Sequence, residues 1–394
     1  MTSQILSSRD ARFPDFGLYV HWPFCVSKCP YCDFNSHVHS TIDIPAYTAA
    51  YLQELTHMRA LSVPRSLVSL YFGGGTPSLM PPSLVAAMIQ KISELWSFAP
   101  QIEITLEANP HSTEIEKFQA FRDAGINRLS IGVQSFDDKT LRFLGRPHSA
   151  AEGKKAVQVA QKVFDRVTFD LIYALPDQTL NQWKDVLKEA LYYGISHHSL
   201  YQLTIEPNTP FERLHQSGKL VLPEDSLQAD FYQLTEDVMN EGGYSSYEVS
   251  NYAQPGAASQ HNILYWNSQD WGAVGPGAHG RVTTKEGRFA LRRHRAPTIW
   301  QEQCVSQGHA MTHWEKQTAL EQAEEYLMMG LRLKEGISLT VFEKIVGTTL
   351  PHFVQHENFS FLKEEGFLDV ENGMLRATMK GRLCLGTVLK ELLL

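Results

Sequence analysis

Three cysteines stand close together near the start of the chain, in the segment Cys25-Val-Ser-Lys-Cys29-Pro-Tyr-Cys32. Three residues separate the first two cysteines and two residues separate the second pair. Such intervals let three thiolates converge on one inorganic cluster, and a [4Fe-4S] cluster held by three cysteines keeps one iron free of protein ligands. An open iron can bind a second molecule and pass it an electron. The spacing therefore predicts a cluster site that determines the chemistry of the whole protein.

Two other uses of these cysteines stay open. A structural zinc ion usually takes four ligands, and His21 or His37 would have to supply the fourth, because the next cysteine, Cys304, is far away. A disulfide is less favoured, since five cysteines in 394 residues are few and odd in number, as in a reducing compartment. Cys304 and Cys384 are isolated and fit packed, small apolar side chains.

Length and composition narrow the class of protein. A chain of 394 residues suggests one large domain with one or two smaller ones, and a hydrophobic fraction of 43% allows a sizeable core. The net charge of −8 argues against nucleic acid as a partner. Residues 1–16 lack the apolar run of a secretory signal, and no apolar stretch reaches the roughly 18 residues of a membrane span. We expect a cytoplasmic protein without a transmembrane segment, with peripheral membrane association through a partner as an open alternative.

Short β-rich runs alternate with helical patterns over the first 250 residues. This alternation predicts parallel strands joined by crossover helices, and six such units fit a partial (β/α)6 barrel of the α/β class. The predicted strands are 18–21, 67–72, 103–106, 128–131, 168–172 and 199–203, and the predicted helices are 46–61, 83–95, 113–124, 150–162, 180–193 and 227–239. Ligands bind at the carboxyl ends of the strands in such folds.

The remaining residues divide into two predicted parts. Residues 251–315 begin with a stretch rich in Gly, Asn, Tyr and Trp, and we expect an irregular linking segment there. The pattern of residues 316–394 predicts a mostly helical, winged-helix-like domain, in which a hairpin around Asn372-Gly373 follows three helices. The predicted domains are thus 1–250, 251–315 and 316–394. The acidic composition favours a packing or docking role for the last domain over nucleic-acid binding.

Glycine-rich and polar segments coincide with the ends of the predicted strands. The cysteines follow the first strand, and the run Gly-Gly-Gly-Thr-Pro at 73–77 follows the second, where glycines let the backbone approach a ligand. Glu107 ends the third strand, Gln134 follows the fourth, and Asp170 lies in the apolar fifth, where a buried carboxylate needs partners. The alternatives are a structural turn for the glycine run, a solvated strand end for Glu107 and a structural hydrogen bond for Asp170. Their shared position favours a ligand site.

Longer stretches of the chain resemble a known family. The stretches are 19–25, 73–78, 131–136, 145–146 and 170–176, together with the cysteine motif. They are similar to the radical S-adenosylmethionine (SAM) superfamily and, over nearly the full length, to its oxygen-independent coproporphyrinogen III oxidase family. The resemblance implies that the open iron chelates the amino and carboxylate groups of SAM.

The resemblance also implies roles for individual residues. The cysteines Cys25, Cys29 and Cys32 would hold the cluster. The SAM bound to it would lie in a site lined by Tyr19, Gly74 and Glu107. In the oxidase a second SAM lies beside the first, and the residues that match positions near it are Tyr31, Gly75, Thr76, Gln134, Arg146 and Asp170.

Two departures separate the chain from the oxidase itself. The oxidase carries a fourth cysteine where this chain has Phe34, and its N-terminal extension is longer than the 24 residues before Cys25. Both departures match the HemW-type heme chaperone subgroup, whose His-Asn-x-x-Tyr-Trp heme motif is present as His261-Asn-Ile-Leu-Tyr265-Trp266. A neutral imidazole is a good axial ligand for heme iron, and the two aromatic rings could stack on the macrocycle. The alternative is an aromatic-rich loop packed over the barrel mouth, with the histidine as a hydrogen-bonded core residue.

Two main functions follow from the resemblance. The first is a heme chaperone that carries a [4Fe-4S] cluster and SAM, takes heme from a donor protein or passes it to acceptor hemoproteins, and lacks coproporphyrinogen oxidase activity. The second is a radical SAM oxidase that performs oxidative decarboxylation of coproporphyrinogen III. A radical enzyme that modifies tRNA or protein is a third, less favoured function. Phe34 and the short N-terminal segment favour the first.

Overall fold

The structure, a computed structural model, describes residues 16–39 and 41–393. Parallel strands and connecting helices alternate through its N-terminal part. The strands are β1 Phe16–Trp22, β2 Phe24–Cys25, β3 His37–Val38, β4 Leu67–Gly74, β5 Phe98–Ala108, β6 Arg128–Gln134, β7 Arg166–Tyr173 and β8 His197–Gln202. The helices are α1 Ile44–Leu61, α2 Pro82–Leu95, α3 Ser112–Ile115, α4 Phe118–Asp123, α5 Asp138–Phe143, α6 Ala150–Val163, α7 Leu180–Tyr192, α8 Pro210–Gln216 and α9 Asp225–Glu241.

The rest of the chain adds antiparallel strands and a helical C-terminal region. The next elements are β9 Ser245–Ser246, β10 Asn251–Ala253, α10 Gln260–Trp266, β11 Asp270–Val274, β12 His279–Thr284, β13 Gly287–Arg293, α11 Pro297–Gln307 and β14 Met311–Lys316. The last elements are α12 Ala319–Gly330, β15 Ile337–Ser338, α13 Leu339–Val346, α14 His356–Glu364, β16 Leu368–Glu371, β17 Met374–Ala377, α15 Met379–Leu383 and α16 Leu385–Leu392.

The large sheet is an open, partial barrel. Its parallel neighbours follow the order β11-β1-β4-β5-β6-β7-β8, and β8 then pairs with the antiparallel β10. The two outer parallel strands of this set are not paired with each other in the described chain, so the sheet does not close. The six predicted strands and the α/β barrel are confirmed, although β5 begins five residues before the predicted run.

Local signals explain several helix boundaries in the barrel. Ser149 caps α6 in a capping box with Glu152, as its position before the helical pattern indicates. Gly194 follows α7 with a φ of 64°, in the left-handed region that suits glycine at a helix end. The single helix predicted over 113–124 is instead broken into α3 and α4, because Glu116 and Lys117 form a turn between them.

The expectation of an irregular segment over 251–315 is wrong. Strand β11 lies parallel to β1 inside the large sheet, and β12, β13 and β14 continue the sheet as an antiparallel meander. Asp270 starts β11 fully buried, and its charge is offset by the guanidinium of Arg65 at 2.7 Å. The division of the chain at residue 250 stays a proposal, and the continuity of the sheet across this point argues against it.

The C-terminal helices surround a small sheet with a core of its own. The sheet has the strand order β15-β17-β16, and its hairpin turns at Asn372 and Gly373, which have φ values of 53° and 76°. Two residues with positive φ form the hairpin turn that fits the twist of antiparallel strands. The predicted mostly helical C-terminal region with its hairpin is therefore confirmed. None of the helices in the described residues combines the length and apolar composition needed to cross a membrane.

A buried carboxylate ties the first helix to the edge of the barrel. Glu54 of α1 accepts hydrogen bonds from the backbone N–H of Gly275 at 2.8 Å, the indole of Trp300 at 2.8 Å and the backbone N–H of Ala310 at 3.0 Å. The guanidinium of Arg293 lies 3.5 Å away. A buried charge is stable only with such partners, so Glu54 fixes the turn after β11 and helix α11 against α1.

We expect Gly275→Ala to destabilise the protein by about 3 kcal/mol or more, because left-handed strain and overpacking add there. Gly275 has a φ of 101°, and a Cβ at this position would overlap the carbonyl oxygen of His21. Gly194→Ala is the matched control, since Gly194 also has a positive φ but no atom lies within 4 Å of its Cβ position. Thermal unfolding midpoints should fall much further for Gly275→Ala. Equal midpoints would show that the close contact with His21 is not important.

Candidate functional site

A cavity of about 620 Å³ opens at the carboxyl ends of the barrel strands. Nearly all of the residues that the sequence assigned to the cluster and to SAM border it. These residues are Cys25, Cys29, Tyr31, Cys32, Gly74, Gly75, Thr76, Glu107, Gln134, Arg146 and Asp170. Tyr19 lies one layer deeper in the barrel, where its hydroxyl is 2.9 Å from Nδ1 of His21. The structure thus brings together side chains from loops far apart in the sequence.

The cysteine loop is held by the elements around it. Strand β2 pairs with β3 across the loop, so that Phe24 and Cys25 stand opposite His37 and Val38. The backbone N–H of Cys32 donates to the carbonyl of Cys29 at 3.2 Å, which closes a turn inside the motif. These contacts place the three cysteines on one side of the cavity.

Hydrogen bonds connect two of the sulfurs to the segments that follow β4 and α5. The hydroxyl of Thr76 donates to Sγ of Cys25 at 3.3 Å, and the guanidinium of Arg146 donates to Sγ of Cys29 at 3.4 Å. Asn109 joins these two residues, because its Nδ2 donates to the Thr76 hydroxyl at 3.1 Å and its Oδ1 accepts from Arg146. The sequence prediction missed Asn109. Its position two residues after Glu107, in the loop after a barrel strand, was the available signal.

The chemistry of the donor set fits an iron–sulfur cluster. Burial raises the pKa of the Cys25 and Cys32 thiols, while the hydrogen bond from Thr76 lowers that of Cys25. A metal replaces the thiol proton, so these thiols would bind as thiolates. No three His, Cys, Asp or Glu side chains in residues 16–39 and 41–393 are arranged around a single metal ion. A [4Fe-4S] cluster takes each cysteine at a different iron, so its ligands need not meet at one point.

Packing inside the protein accounts for the glycine run after β4. A Cβ at Gly74 would lie 2.5 Å from the imidazole of His21, and a Cβ at Gly75 would lie 2.7 Å from the carbonyl oxygen of Phe24. Gly74 also has a φ of 114°, which few other residues adopt. Its backbone N–H donates to Glu107 at 3.1 Å. The sequence analysis explained these glycines by the close approach of a ligand. The structure shows that they let the end of β4 pack closely against His21 and Phe24.

Two carboxylates face the cavity from β5 and β7. Burial raises the pKa of Glu107 to about 7, partly offset by the hydrogen bond from the Tyr71 hydroxyl at 2.8 Å. Burial also raises the pKa of Asp170 to about 6, although a hydrogen bond from Ser199 lowers it in part. A cationic ligand would stabilise the ionised form of both. SAM carries an ammonium and a sulfonium, which ionised carboxylates on this side of the cavity would attract.

The side chains of Arg146 and Gln134 also border the cavity. Arg146 also donates to the carbonyl of Gly132 at 3.0 Å, which fixes its guanidinium between β6 and the cysteine loop. Gln134 has a φ of 65°, an uncommon value for a residue other than glycine that concentrates at functional sites. Tyr31 packs against the ring of Phe211 with centroids 6.3 Å apart.

The His-Asn-x-x-Tyr-Trp segment lies at the opposite end of the barrel from the cavity mouth. It forms helix α10, and His261 points into the amino end of the barrel with only 1% of its surface exposed. Its Nδ1 is 2.8 Å from the hydroxyl of Ser69, and its ring stacks on Tyr71 with centroids 4.9 Å apart. The aromatic segment is therefore a helix rather than a loop over the barrel mouth.

The chemical state of His261 follows from this position. Burial and the nearby charge of Arg128 lower the pKa of His261 to about 3, so its imidazole is neutral near pH 7. Its Nε2 is buried and has no hydrogen-bond partner among the described residues. Tyr265 meets the imidazole edge-on with centroids 4.6 Å apart, and the guanidinium of Arg332 lies 4.6 Å from the ring of Trp266.

Comparisons with known proteins agree with this arrangement. The Radical SAM superfamily model matches residues 19–190, and the HemN C-terminal domain model matches residues 317–384. The heme chaperone HemW of Haemophilus influenzae is 36% identical over 395 residues, which cover 96% of this chain and 98% of the relative. The heme chaperone HemW of Escherichia coli is 35% identical, with the same two coverages. The chain belongs to the HemW family.

Membership of the HemW family places the chain in the radical SAM superfamily, whose cofactors are a [4Fe-4S] cluster and SAM. A mitochondrial relative from Danio rerio, radical S-adenosyl methionine domain-containing protein 1, is 36% identical over 96% of this chain and 86% of its own length. The structure of coproporphyrinogen III oxidase (HemN) from Escherichia coli superimposes with a TM-score of 0.80 at 22% identity, covering 96% and 90% of the two chains. This similarity confirms the predicted fold.

We expect Asn109→Ala to make the cluster of this HemW-family protein more labile, because Thr76 and Arg146 then lose the side chain that joins them. Loss of the cluster's charge-transfer absorbance to an iron chelator, under anaerobic conditions, should become several-fold faster. Asn240→Ala is the matched control, since Asn240 is exposed near the end of α9. Equal rates for Asn109→Ala and Asn240→Ala would contradict the importance of this network.

Binding of SAM should strengthen as the pH rises from 6 to 7.5. With a pKa of about 7, Glu107 is mostly protonated at the lower pH and mostly ionised at the higher one, and only the ionised form attracts a cationic ligand. Isothermal titration of the reconstituted protein should show a gain of about eightfold from Glu107. Glu107→Gln should reduce the gain to the smaller part that Asp170, with a pKa of about 6, and the titration of SAM itself contribute. An undiminished pH dependence in Glu107→Gln would place the titrating group elsewhere.

Proposed function

We propose that the protein is a heme chaperone that carries a [4Fe-4S] cluster and SAM, binds heme and transfers it to acceptor hemoproteins. The near-complete match to two proteins named heme chaperone HemW carries the proposal, since each covers 96% of this chain. The matched stretch spans the segment that contains the His261 motif. By the resemblance of the sequence, Phe34 stands where the oxidase has its fourth cysteine. These features support the chaperone over the coproporphyrinogen oxidase alternative.

The residues around the cavity have separate tasks in this proposal. Cys25, Cys29 and Cys32 hold the cluster, and the bound cluster and SAM supply one-electron chemistry at the open iron. Thr76 and Arg146 hold the sulfur side of the cavity in place through their hydrogen bonds. The carboxylates orient SAM by charge, and the remaining predicted residues line the space beside them. The chain itself thus binds and positions its cofactors.

Heme ligation by His261 is the part of the proposal that needs a conformational change. The imidazole is neutral and its Nε2 is unpartnered, which suits an axial ligand, but only 1% of the residue is exposed. A macrocycle could reach it only if α10 moved away from Tyr71. Helix α10 rests on the C-terminal region through Trp266 and Arg332, so a shift of that region would release it. Tyr265 and Trp266 would then contact the porphyrin.

The tyrosines beside His261 offer a route by which the two sites could influence each other. Tyr71 stacks on His261 and donates to Glu107 at 2.8 Å, and Tyr19 stacks on Tyr71 with centroids 6.3 Å apart. A cation bound at Glu107 would strengthen its ionised form, and with it the hydrogen bond from Tyr71. We therefore include control of heme binding by SAM in the proposal. The proposal also names acceptor hemoproteins or a heme donor protein as partners and the cytoplasm as the location.

We expect the holoprotein to bind hemin with a distinct Soret band and to pass it to an apo-hemoprotein. Loaded protein mixed with apomyoglobin should yield the myoglobin spectrum, and His261→Ala should shift the Soret band of the loaded chaperone. His356→Ala, a change of an exposed histidine in the C-terminal region, is the control. Anaerobic incubation with coproporphyrinogen III, SAM and dithionite should give no protoporphyrinogen. Formation of that product at the rate of an active oxidase, without hemin binding, would reverse the proposal.

A further inference from the structure

A second cavity, of about 700 Å³, lies beside the cluster cavity and has a polar, mostly basic lining. The described side chains that line it include no apolar one, and among them are His279, Arg292, Arg295 and His313. Asp33, which directly follows Cys32 of the cluster motif, borders both cavities. Small-molecule sites are mostly apolar, so this lining is more typical of a contact with a charged partner.

The sheet register builds one side of this cavity. His279 of β12 stands directly opposite Arg292 of β13, which stands directly opposite His313 of β14. Residues opposite each other on antiparallel strands project from the same face, so these side chains form a row. All three are exposed, as is Arg295 shortly after the end of β13. The row therefore presents positive charge and imidazole groups to solvent.

The segment after the third cysteine links the two cavities. The amide of Asn35 donates to the carbonyls of Pro276 at 2.9 Å and Arg295 at 3.0 Å. A Cβ at Gly277 would overlap this amide, so the segment packs tightly against the turn after β11. A molecule seated on the second cavity would therefore touch the loop that carries Cys32.

Three unpaired cations surround this loop, in contrast to the net charge of −8 of the whole chain. Burial lowers the pKa of His37 most, and the nearby charges of His39, Lys28 and Arg295 lower it further. Lys28 of the cluster motif thus lies on the same side of the loop as Arg295. Within residues 16–39 and 41–393, the side chains of Lys28, Arg292 and Arg295 form neither an ion pair nor a hydrogen bond. These three residues form the cationic face.

Apolar side chains and two carboxylates adjoin the cationic face. Phe34, which lines the cluster cavity, is 59% exposed, and Val38 is 55% exposed. The carboxylates are Asp33 on the cavity wall and Glu315, whose Oε1 is 3.7 Å from His313. Exposed apolar side chains bordered by charged ones are typical of protein–protein interfaces. The composition of this surface therefore favours an acidic protein as the partner.

We propose that an acidic protein that carries a single electron docks on the cationic face and reduces the cluster. A cluster that passes an electron to its ligand must first receive one. Cys304 and Cys384 are too few to hold a second cluster that would supply it. In the docked complex, one electron passes from the reduced carrier to the oxidised cluster, and no bond forms or breaks. Opposite charges accelerate and orient such an encounter.

Nucleic acid is the other anionic partner that the cationic face could attract. It fits less well, because nucleic-acid binding draws on many phosphate contacts and this face has three cations. Nucleic acid also would not explain why the face adjoins the cluster loop. The inference needs only the cluster and goes beyond the proposed heme function.

The test uses the anaerobic holoprotein and flavodoxin, an acidic protein that carries an electron on a flavin. R292E/R295E should weaken the binding of oxidised flavodoxin, measured by isothermal titration, by about tenfold or more. Reduction of the cluster by reduced flavodoxin should slow by a similar factor at low salt, and the difference should shrink as ionic strength rises. Reduction by the methyl viologen radical, a small cation that needs no docking, should not slow. K155E/K184E reverses two exposed charges on α6 and α7 and should match wild type.

Other outcomes would overturn the inference. Flavodoxin binding and cluster reduction that are equal in wild type and R292E/R295E would do so, as would an equal loss in K155E/K184E. If reduction by methyl viologen slows as much as reduction by flavodoxin, the substitutions act on the cluster site and the inference is wrong. If R292E/R295E binds flavodoxin normally but loses affinity for tRNA, the face binds nucleic acid and the inference is again wrong.

Two further measurements separate this inference from the proposed function and from misfolding. Transfer of hemin to apomyoglobin by R292E/R295E should equal that by wild type, because the cationic face has no part in heme ligation by His261. Failure of hemin transfer by wild type would contradict the heme chaperone function and leave the docking face intact. Thermal midpoints equal to wild type show that the variants are folded.

Discussion

Hydrogen bonds from the segments that follow β4 and α5 hold the cysteine loop in place. Thr76 after β4 and Arg146 after α5 each donate to a different cysteine sulfur, and Asn109 after β5 joins the two donors. Because the carboxyl ends of parallel strands meet at one edge of the sheet, residues about 70 positions apart in sequence act on one short loop. The position of this loop determines where the three sulfurs stand relative to the carboxylates of Glu107 and Asp170 on the other side of the cavity.

The interior of the barrel is layered between its two ends. The cavity with its carboxylates forms the upper layer, Tyr19 and Tyr71 form the layer below, and His261 of α10 fills the amino end. Burial favours the neutral form at both ends and therefore shifts the pKa values in opposite directions: it raises the pKa of Glu107 above and lowers that of His261 below. A cationic ligand at the upper layer would favour the ionised carboxylates. Tyr71 contacts both Glu107 and His261, so it links the cavity to the amino end of the barrel.

Sequence reasoning was strongest where a local pattern or a rule of topology determines the outcome. The six strands and the meeting of their loops followed from the alternation of patterns and from the behaviour of parallel strands. It failed for β11, a short buried strand that includes Asp270, because its strand character comes from pairing with β1, about 250 residues earlier. The bridging role of Asn109 and the burial of His261 depend on side-chain rotamers and on the docking of α10. No single-sequence pattern encodes these.

Analysis of iron, acid-labile sulfide and zinc in the anaerobically reconstituted protein, with electron paramagnetic resonance of the reduced form, tests the central claim most directly. A cube ligated by three cysteines predicts about four irons and four sulfides per chain. Its resonance spectrum should change when SAM is added, and Cys25→Ala, Cys29→Ala and Cys32→Ala should each abolish it. One zinc per chain without sulfide, or a spectrum indifferent to SAM, would contradict the account.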